Sequence, residues 1–307
     1  MDTEQVTTTT RSSSLYVGMG LVVLASLGFA SKGILIKLAY ALDQDIDAIS
    51  LMAIRMSIAL PFFLLVAVRT NARSQQLRMT GFDVMAIIAL GFLGYYLSSL
   101  LDFSGLAFIS ASLERMILYL YPTLVVLLTA LLYRRRIRPY EQAALAVAYL
   151  GMLLMFITHP SGVNTDIIKG ASLVFAAAFS FAIFMVGSQQ IISRIGSIRF
   201  TSYSMTVATL FTMVHYGLQH GVQLPGMTSA FYLIGLTMAI FCTVLPAYMM
   251  NAGIQRIGAS QTALISAIGP VMTLILAYIV LDEQLTKLQL AGIVMIIGSI
   301  TIVGKGK

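Results

Sequence analysis

The chain has 307 residues, of which 58% are apolar and 10% charged, with mean hydropathy +0.90 and a formal net charge of +7. A soluble domain carries about 25% charged residues, so this composition cannot coat a water-exposed surface and excludes an ordinary soluble enzyme. The basic excess falls in short loops between apolar runs, so no nucleic-acid partner is expected.

The first fourteen residues, rich in Thr and Ser, read as a disordered cytoplasmic tail, 1–14. Membrane spans need about 20 apolar residues to cross roughly 30 Å of hydrocarbon. They are expected near 16–39, 48–68, 82–101, 107–131, 140–157, 169–190, 200–217, 228–250, 258–280 and 287–304. Helix is the expected state, because lipid offers the backbone no hydrogen-bond partner. Runs such as Val84 to Leu93 also lack the alternation of barrel strands. The first run ends at Lys32 and Lys37 rather than at a small-residue cleavage site, which predicts an uncleaved anchor.

Orientation follows from the basic loops. With the N-terminus inside, the cytoplasm receives Arg69, Arg73, Arg78, Arg134, Arg135, Arg136, Arg138, Arg194, Arg199 and Arg256. The first outer loop carries Asp43, Asp45 and Asp47 instead. Both termini are therefore expected in the cytoplasm, with the chain in the cell (inner) membrane.

The second half echoes the first. Gly105, Leu106, Ile109, Ala111, Ser112 and Pro122 match Gly253, Ile254, Ile257, Ala259, Ser260 and Pro270, each pair 148 residues apart. Each half holds an odd number of spans, five, so the two copies must enter the bilayer in opposite orientations. The expected fold is an all-α membrane protein of ten transmembrane helices arranged as two inverted five-helix repeats, 15–158 and 159–307.

Gly105-Leu-Ala-Phe-Ile-Ser-Ala-Ser through Tyr121-Pro122-Thr123, and Gly253-Ile-Gln-Arg-Ile-Gly-Ala-Ser through Gly269-Pro270, resemble the repeat of the EamA-type drug/metabolite transporters. So does Leu281-Asp282-Glu283-Gln284-Leu285 ahead of a last span with Gly292 and Gly298. The chain departs from the family pattern at Tyr133-Arg134-Arg135-Arg136, where a Glu turn is common, and at Phe29, where a Trp is frequent. The resemblance covers about 16–304 and implies ten helices, alternating access, a small organic substrate and outward movement.

Chemistry for other functions is missing. Cys242 lies in mid-span and reads as core filler. His159, His215 and His220 have no metal-ligand spacing, and no phosphate-cradling loop is present. Neither a metal, a cofactor nor catalysis is expected. Intramembrane charges are costly and tend to face a cavity or a partner. They are Lys32, Lys37, Arg55, Glu114 and Arg115, with Asp102 at an outer end, and all belong to the first half. Lys37 is placed to snorkel, Arg55 to bond Asp102 or Glu114. Adjacent Glu114 and Arg115 lie about 100° apart and are expected to face different partners.

The expected substrate-binding set is Lys32, Arg55, Tyr95, Ser99, Glu114, Tyr119, Tyr248 and Asn251, with Pro122 and Pro270 as symmetric hinges. Further polar candidates are Tyr96, Ser98, Tyr203, Gln189 and Gln261. Four basic groups against two acids predict an anionic substrate, such as an amino acid or organic acid, with Lys32 as its first contact. Proton coupling would use Glu114. A channel or a membrane receptor for a small molecule is the alternative, although no ring of pore charges or carbonyl filter is present.

Overall fold

The computed structural model describes residues 3–42, 47–73, 79–156, 165–221, 229–281 and 286–305, and these are all-helical apart from their turns. In chain order the helices are α1 Thr3–Leu42, α2 Ala48–Arg73, α3 Gly81–Leu106, α4 Ala111–Leu118, α5 Tyr121–Leu132 and α6 Pro139–Phe156. The second half supplies α7 Thr165–Ile195, α8 Ser197–His220, α9 Ser229–Ile257, α10 Ala259–Ile265, α11 Gly269–Leu281 and α12 Lys287–Lys305. The Asp43 and Asp45 loop positions, Arg78, His159 and the Asp282–Leu285 turn lie outside the described residues.

Six helical stretches are long and apolar enough to cross a membrane: Leu15–Leu42, Ala48–Thr70, Gly81–Leu106, Leu113–Leu132, Thr165–Ile195 and Ser229–Ile257. Their outer faces are bare hydrocarbon. Leu131 is 75% exposed, Met85 70% and Val68 68%, a coat that water would not tolerate over so many residues.

The remaining helices miss the apolar measure for local reasons. α8 is rich in hydroxyls, but Thr201, Ser202, Thr206, Thr209 and Thr212 each donate to a carbonyl four residues back. Such bonds satisfy the hydroxyl within its own helix. The expected span 258–280 is broken by a 3-10 turn at Ser266–Ile268; the expected span 107–131 also turns, at Tyr119 and Leu120, yet its stretch Leu113–Leu132 is one of the six. α1 is helical from Thr3, where composition pointed to a disordered tail. Thr and Ser propagate a helix poorly, but extending a formed span adds one hydrogen bond for each residue fixed.

Helix starts obey local chemistry. The Thr80 hydroxyl accepts from the Asp83 amide at 3.3 Å while Asp83 accepts from the Thr80 amide at 2.9 Å, a capping box at the start of α3. Ser110 caps α4. Gly196 (φ 84°) and Gly258 (φ 83°) each turn the chain in one residue, at angles where a side chain would be strained.

The two halves repeat in structure as in sequence. α3 holds a π-helical stretch at Phe92–Leu97 and α9 holds one at Ile240–Val244, starting 148 residues apart. Exchange of the halves maps the helix packing onto itself. α2 lies along α8 and α6 along α12; α1 against the end of α9 is matched by α7 against the end of α3. α5 against α7 is matched by α11 against α1.

One crossing is built twice from small residues. A methyl at Gly105 would meet Val174 Cγ2 at 2.6 Å and the Gly170 carbonyl at 3.0 Å. A methyl at Gly253 would meet the Val22 side chain, with the Gly18 carbonyl at 3.6 Å. Small residues at both points let the backbones approach closely.

Candidate functional site

Between the halves lies a cavity of about 860 Å³, counting the part open to the outside. The first half contributes Lys32, Arg55, Tyr95, Ser99, Asp102, Arg115 and Tyr119, and the second Phe181, Met205, Thr243, Met250 and Ser266. Its walls are chiefly apolar, and its charges sit on one side.

Those charges form a cluster on α1, α2, α3 and α4. Lys32 Nζ lies 2.5 Å from Asp102 Oδ2, and both side chains are largely buried. Arg115 Nε lies 3.1 Å from Glu114 Oε2, and its terminal nitrogen donates to the Phe29 carbonyl at 2.7 Å. The adjacent pair therefore do face each other, contrary to the 100° argument. That argument holds for Cβ directions, but both side chains bend over Gly33, where an added Cβ would sit 3.3 Å from Glu114 Oε2. Both Glu114 carboxylate oxygens and Asp102 Oδ1 are buried without a hydrogen-bond partner among the described residues.

Arg55 differs from the other cations. It is 4% exposed, and its guanidinium lies 4.9 Å from the Phe103 ring centre. Among the described residues no carboxylate lies within 4.0 Å of it, and its Nε has no hydrogen-bond partner. The expected bond from Arg55 to Asp102 or Glu114 is absent; those carboxylates pair with Lys32 and Arg115 instead.

Of the other expected residues, Lys32, Tyr95, Ser99 and Tyr119 line the cavity, whereas Glu114, Asn251 and Tyr248 do not. Glu114 sits behind Arg115. Asn251 is fully buried and donates to the Tyr95 hydroxyl at 2.7 Å and to Thr201 Oγ1 at 2.8 Å, so it holds a lining residue rather than lining. α9 turns Thr243, Ala247 and Met250 to the cavity, and Tyr248 points instead to the Ser202 hydroxyl at 2.7 Å. Tyr96 bonds His215 at 2.8 Å, and Ser98 donates to the Ala177 carbonyl at 3.2 Å. Gln189 accepts from the Ala259 amide at 2.8 Å.

Pro122 opens α5 and Pro270 follows Gly269 at the start of α11, so both stand in a first turn just after a break. Neither interrupts a continuous helix. Pro270 has no amide to offer the carbonyl four residues back, that of Ser266. The Tyr119 hydroxyl donates to that carbonyl instead, and the Tyr121 hydroxyl meets the Ser266 side chain. A Cβ at Gly269 would collide with Tyr119, so only glycine admits the ring there. Beyond Tyr119 lies a smaller apolar cavity of about 350 Å³ that both prolines line. Ser266 and Gly269 were missed in the sequence, although a Gly-Pro pair after a serine signals a carbonyl in need of a donor.

Ionic contacts hold each end of the bundle. At one end, Asp47 accepts from the Ser50 amide at 3.0 Å and from Gln219 at 3.0 Å, and meets His220 at 2.9 Å. Burial pushes the Asp47 carboxyl up, but the bonds from Ser50 and His220 outweigh it and hold the group below its ordinary value. At the other end, Arg194 pairs with Asp83 at 3.1 Å. There Arg135 pairs with Glu141 at 2.7 Å and reaches Ser260 of the second half at 2.9 Å.

The model of the EamA-like transporter family matches residues 16–157 and again residues 168–305. An uncharacterized transporter of Bacillus subtilis (strain 168), YcbK, is 30% identical over 283 residues, which cover 90% of this chain and 88% of its own. A second from the same organism, YdfC, is 26% identical over 247 residues, 80% of this chain and 78% of its own. A solved crystal structure matches with a TM-score of 0.74 at 18% identity, over 95% of this chain and 96% of its own, which shows a common fold. The family match thus falls twice, once on each half of a helical fold that repeats, and this multi-pass membrane protein belongs to the EamA-like transporter family.

Proposed function

We propose that this chain is a secondary carrier of the cell (inner) membrane that exports a small organic metabolite of the amino-acid or organic-acid type by alternating access. The observation that carries the reading is the central cavity, lined by both halves and charged on one side. Counting α4 with α5 and α10 with α11 as single broken spans gives ten crossings in two inverted five-helix halves, 15–158 and 159–307, with both termini cytoplasmic. The outward direction rests on the family alone.

Lys32, Arg55, Tyr95, Ser99 and Tyr119 contact substrate in this reading; behind them Asn251 holds Tyr95, Glu114 holds Arg115 and Tyr248 holds Ser202. The broken helices at Pro122 and Pro270 are its hinges. Glu114 beside Asp102 is the group that takes up a proton, so substrate and proton movements are linked at one cluster.

Flux into proteoliposomes loaded with the purified protein, run over amino acids, organic acids and nucleosides, tests this. Saturable, mutually competing uptake of one class is the expected result. Conductance that never saturates would put a channel in its place, and binding with no flux would put a receptor there.

A further inference from the structure

Cargo in the cavity, as the carrier reading has it, must answer the charges around it. We propose that the cavity is a site for a monovalent organic anion, one carboxylate on an apolar body, with Arg55 as the residue that holds the carboxylate. The inference rests on the carrier reading for its biology but not for its chemistry.

The cluster contains three cations and two carboxylates. Asp102 is engaged by Lys32 and Glu114 by Arg115, which leaves Arg55 as the unmatched charge among the described residues. A lone guanidinium that is 4% exposed is unfavourable unless something offsets it. The Phe103 ring offsets part through its π face. A ligand carboxylate would complete the rest, since the planar fork of Arg matches a carboxylate with two parallel hydrogen bonds.

The same count argues against the other ligand classes. A substrate ammonium would need a carboxylate not yet neutralised, and Asp102 and Glu114 each already pair with a cation. Protonation of either carboxylate leaves Lys32, Arg55 and Arg115 in still larger excess, so acid does not turn the site toward cations. The body of the ligand would lie against Phe29, Met56, Phe181, Met205 and Met250, which present no charge. A zwitterion therefore gains at one end and loses at the other.

The test uses full-length protein in detergent and ligands that share a ring and differ in charge: phenylacetate, phenylalanine and phenethylamine, with hexanoate as an aliphatic anion. Thermal melting is followed as each is titrated. The expected result is saturable stabilisation by phenylacetate or hexanoate, with the zwitterion and the amine weaker by about tenfold or more, the scale of one charge-assisted contact. Arg55→Gln should abolish that preference, and Arg55→Lys should keep a weaker form of it. Without ligand, Arg55→Gln should melt no lower than wild type, because it removes an unmatched buried charge.

A fall in the unliganded melting point would make Arg55 a structural brace and overturn the proposal. So would stabilisation by neither anion. Saturable phenylalanine flux that survives Arg55→Gln would remove this site and leave the carrier standing. Anion stabilisation that needs Arg55, found without flux of any substrate, would keep the site and remove the carrier.

Discussion

Lys32 and Asp102 lie 70 positions apart in sequence and meet at 2.5 Å inside the bundle. A pair this buried contributes little net stability over an apolar pair of the same volume, yet removing one partner strands the other charge. Lys32→Met should therefore destabilise the protein by about 3–5 kcal/mol, as should Asp102→Ala, while the double variant should recover most of the loss. Melting midpoints of the four proteins measure the coupling, and additive losses would show that the two charges do not depend on each other. At this scale the sequence supplied the residue types but not their pairing. It singled out Lys32, Lys37, Arg55, Asp102, Glu114 and Arg115, because each stands out in an apolar run. It could not show that Lys32 would be neutralised and Arg55 left over, since that depends on how α1, α2 and α3 rotate against one another. Tyr248 failed for the same reason: helical phase within α9 turns its ring away from the cavity by one position.

Glycines fix the element scale. The α3–α7 crossing at Gly105 and the α1–α9 crossing at Gly253 are copies of one contact, each a glycine against a Gly-x-x-x-Val face, Gly170 with Val174 and Gly18 with Val22. A bulky substitution at either point must push two packed helices apart, and overpacking of this kind costs typically ~1–3 kcal/mol or more. Gly105→Leu and Gly253→Leu should lower the melting midpoint by similar amounts, whereas Gly20→Leu, with open space around it, should not. A large loss at Gly105 with none at Gly253 would mean the two crossings are not equivalent. The repeat itself was legible from Gly105, Pro122 and their partners 148 residues on. What stayed hidden was the form of the spans at those prolines. Apolar composition is continuous through Tyr119 and through Ser266, so hydropathy sees one span where the backbone makes two helices.

For the whole molecule, the halves are alike in path but not in charge. The positions 148 residues after Asp102, Glu114 and Arg115 hold Met250, Thr262 and Ala263, so the cluster has no charged counterpart in the second half. If the repeats are inverted, one side of the cavity is closed by ion pairs and the other by apolar and aromatic packing around Tyr119 and Ser266. The two would then open by different means, the first by exchange of charge partners and the second by loss of packing. The loop chemistry predicts which side faces out. The end that carries Asp47, Gln219 and His220 is acidic and neutral, while the end that carries Arg135, Arg136, Arg138 and Arg194 is strongly basic. Basic loops stay in the cytoplasm. Cys242 is the single cysteine and is buried, so single cysteines placed at Gln219 and at Arg136, both exposed, report without background. In intact cells a membrane-impermeant maleimide should label Gln219→Cys and leave Arg136→Cys untouched until the membrane is opened. The opposite pattern would reverse the orientation, and labelling of both from outside would mean that the two ends do not lie on opposite faces of the membrane.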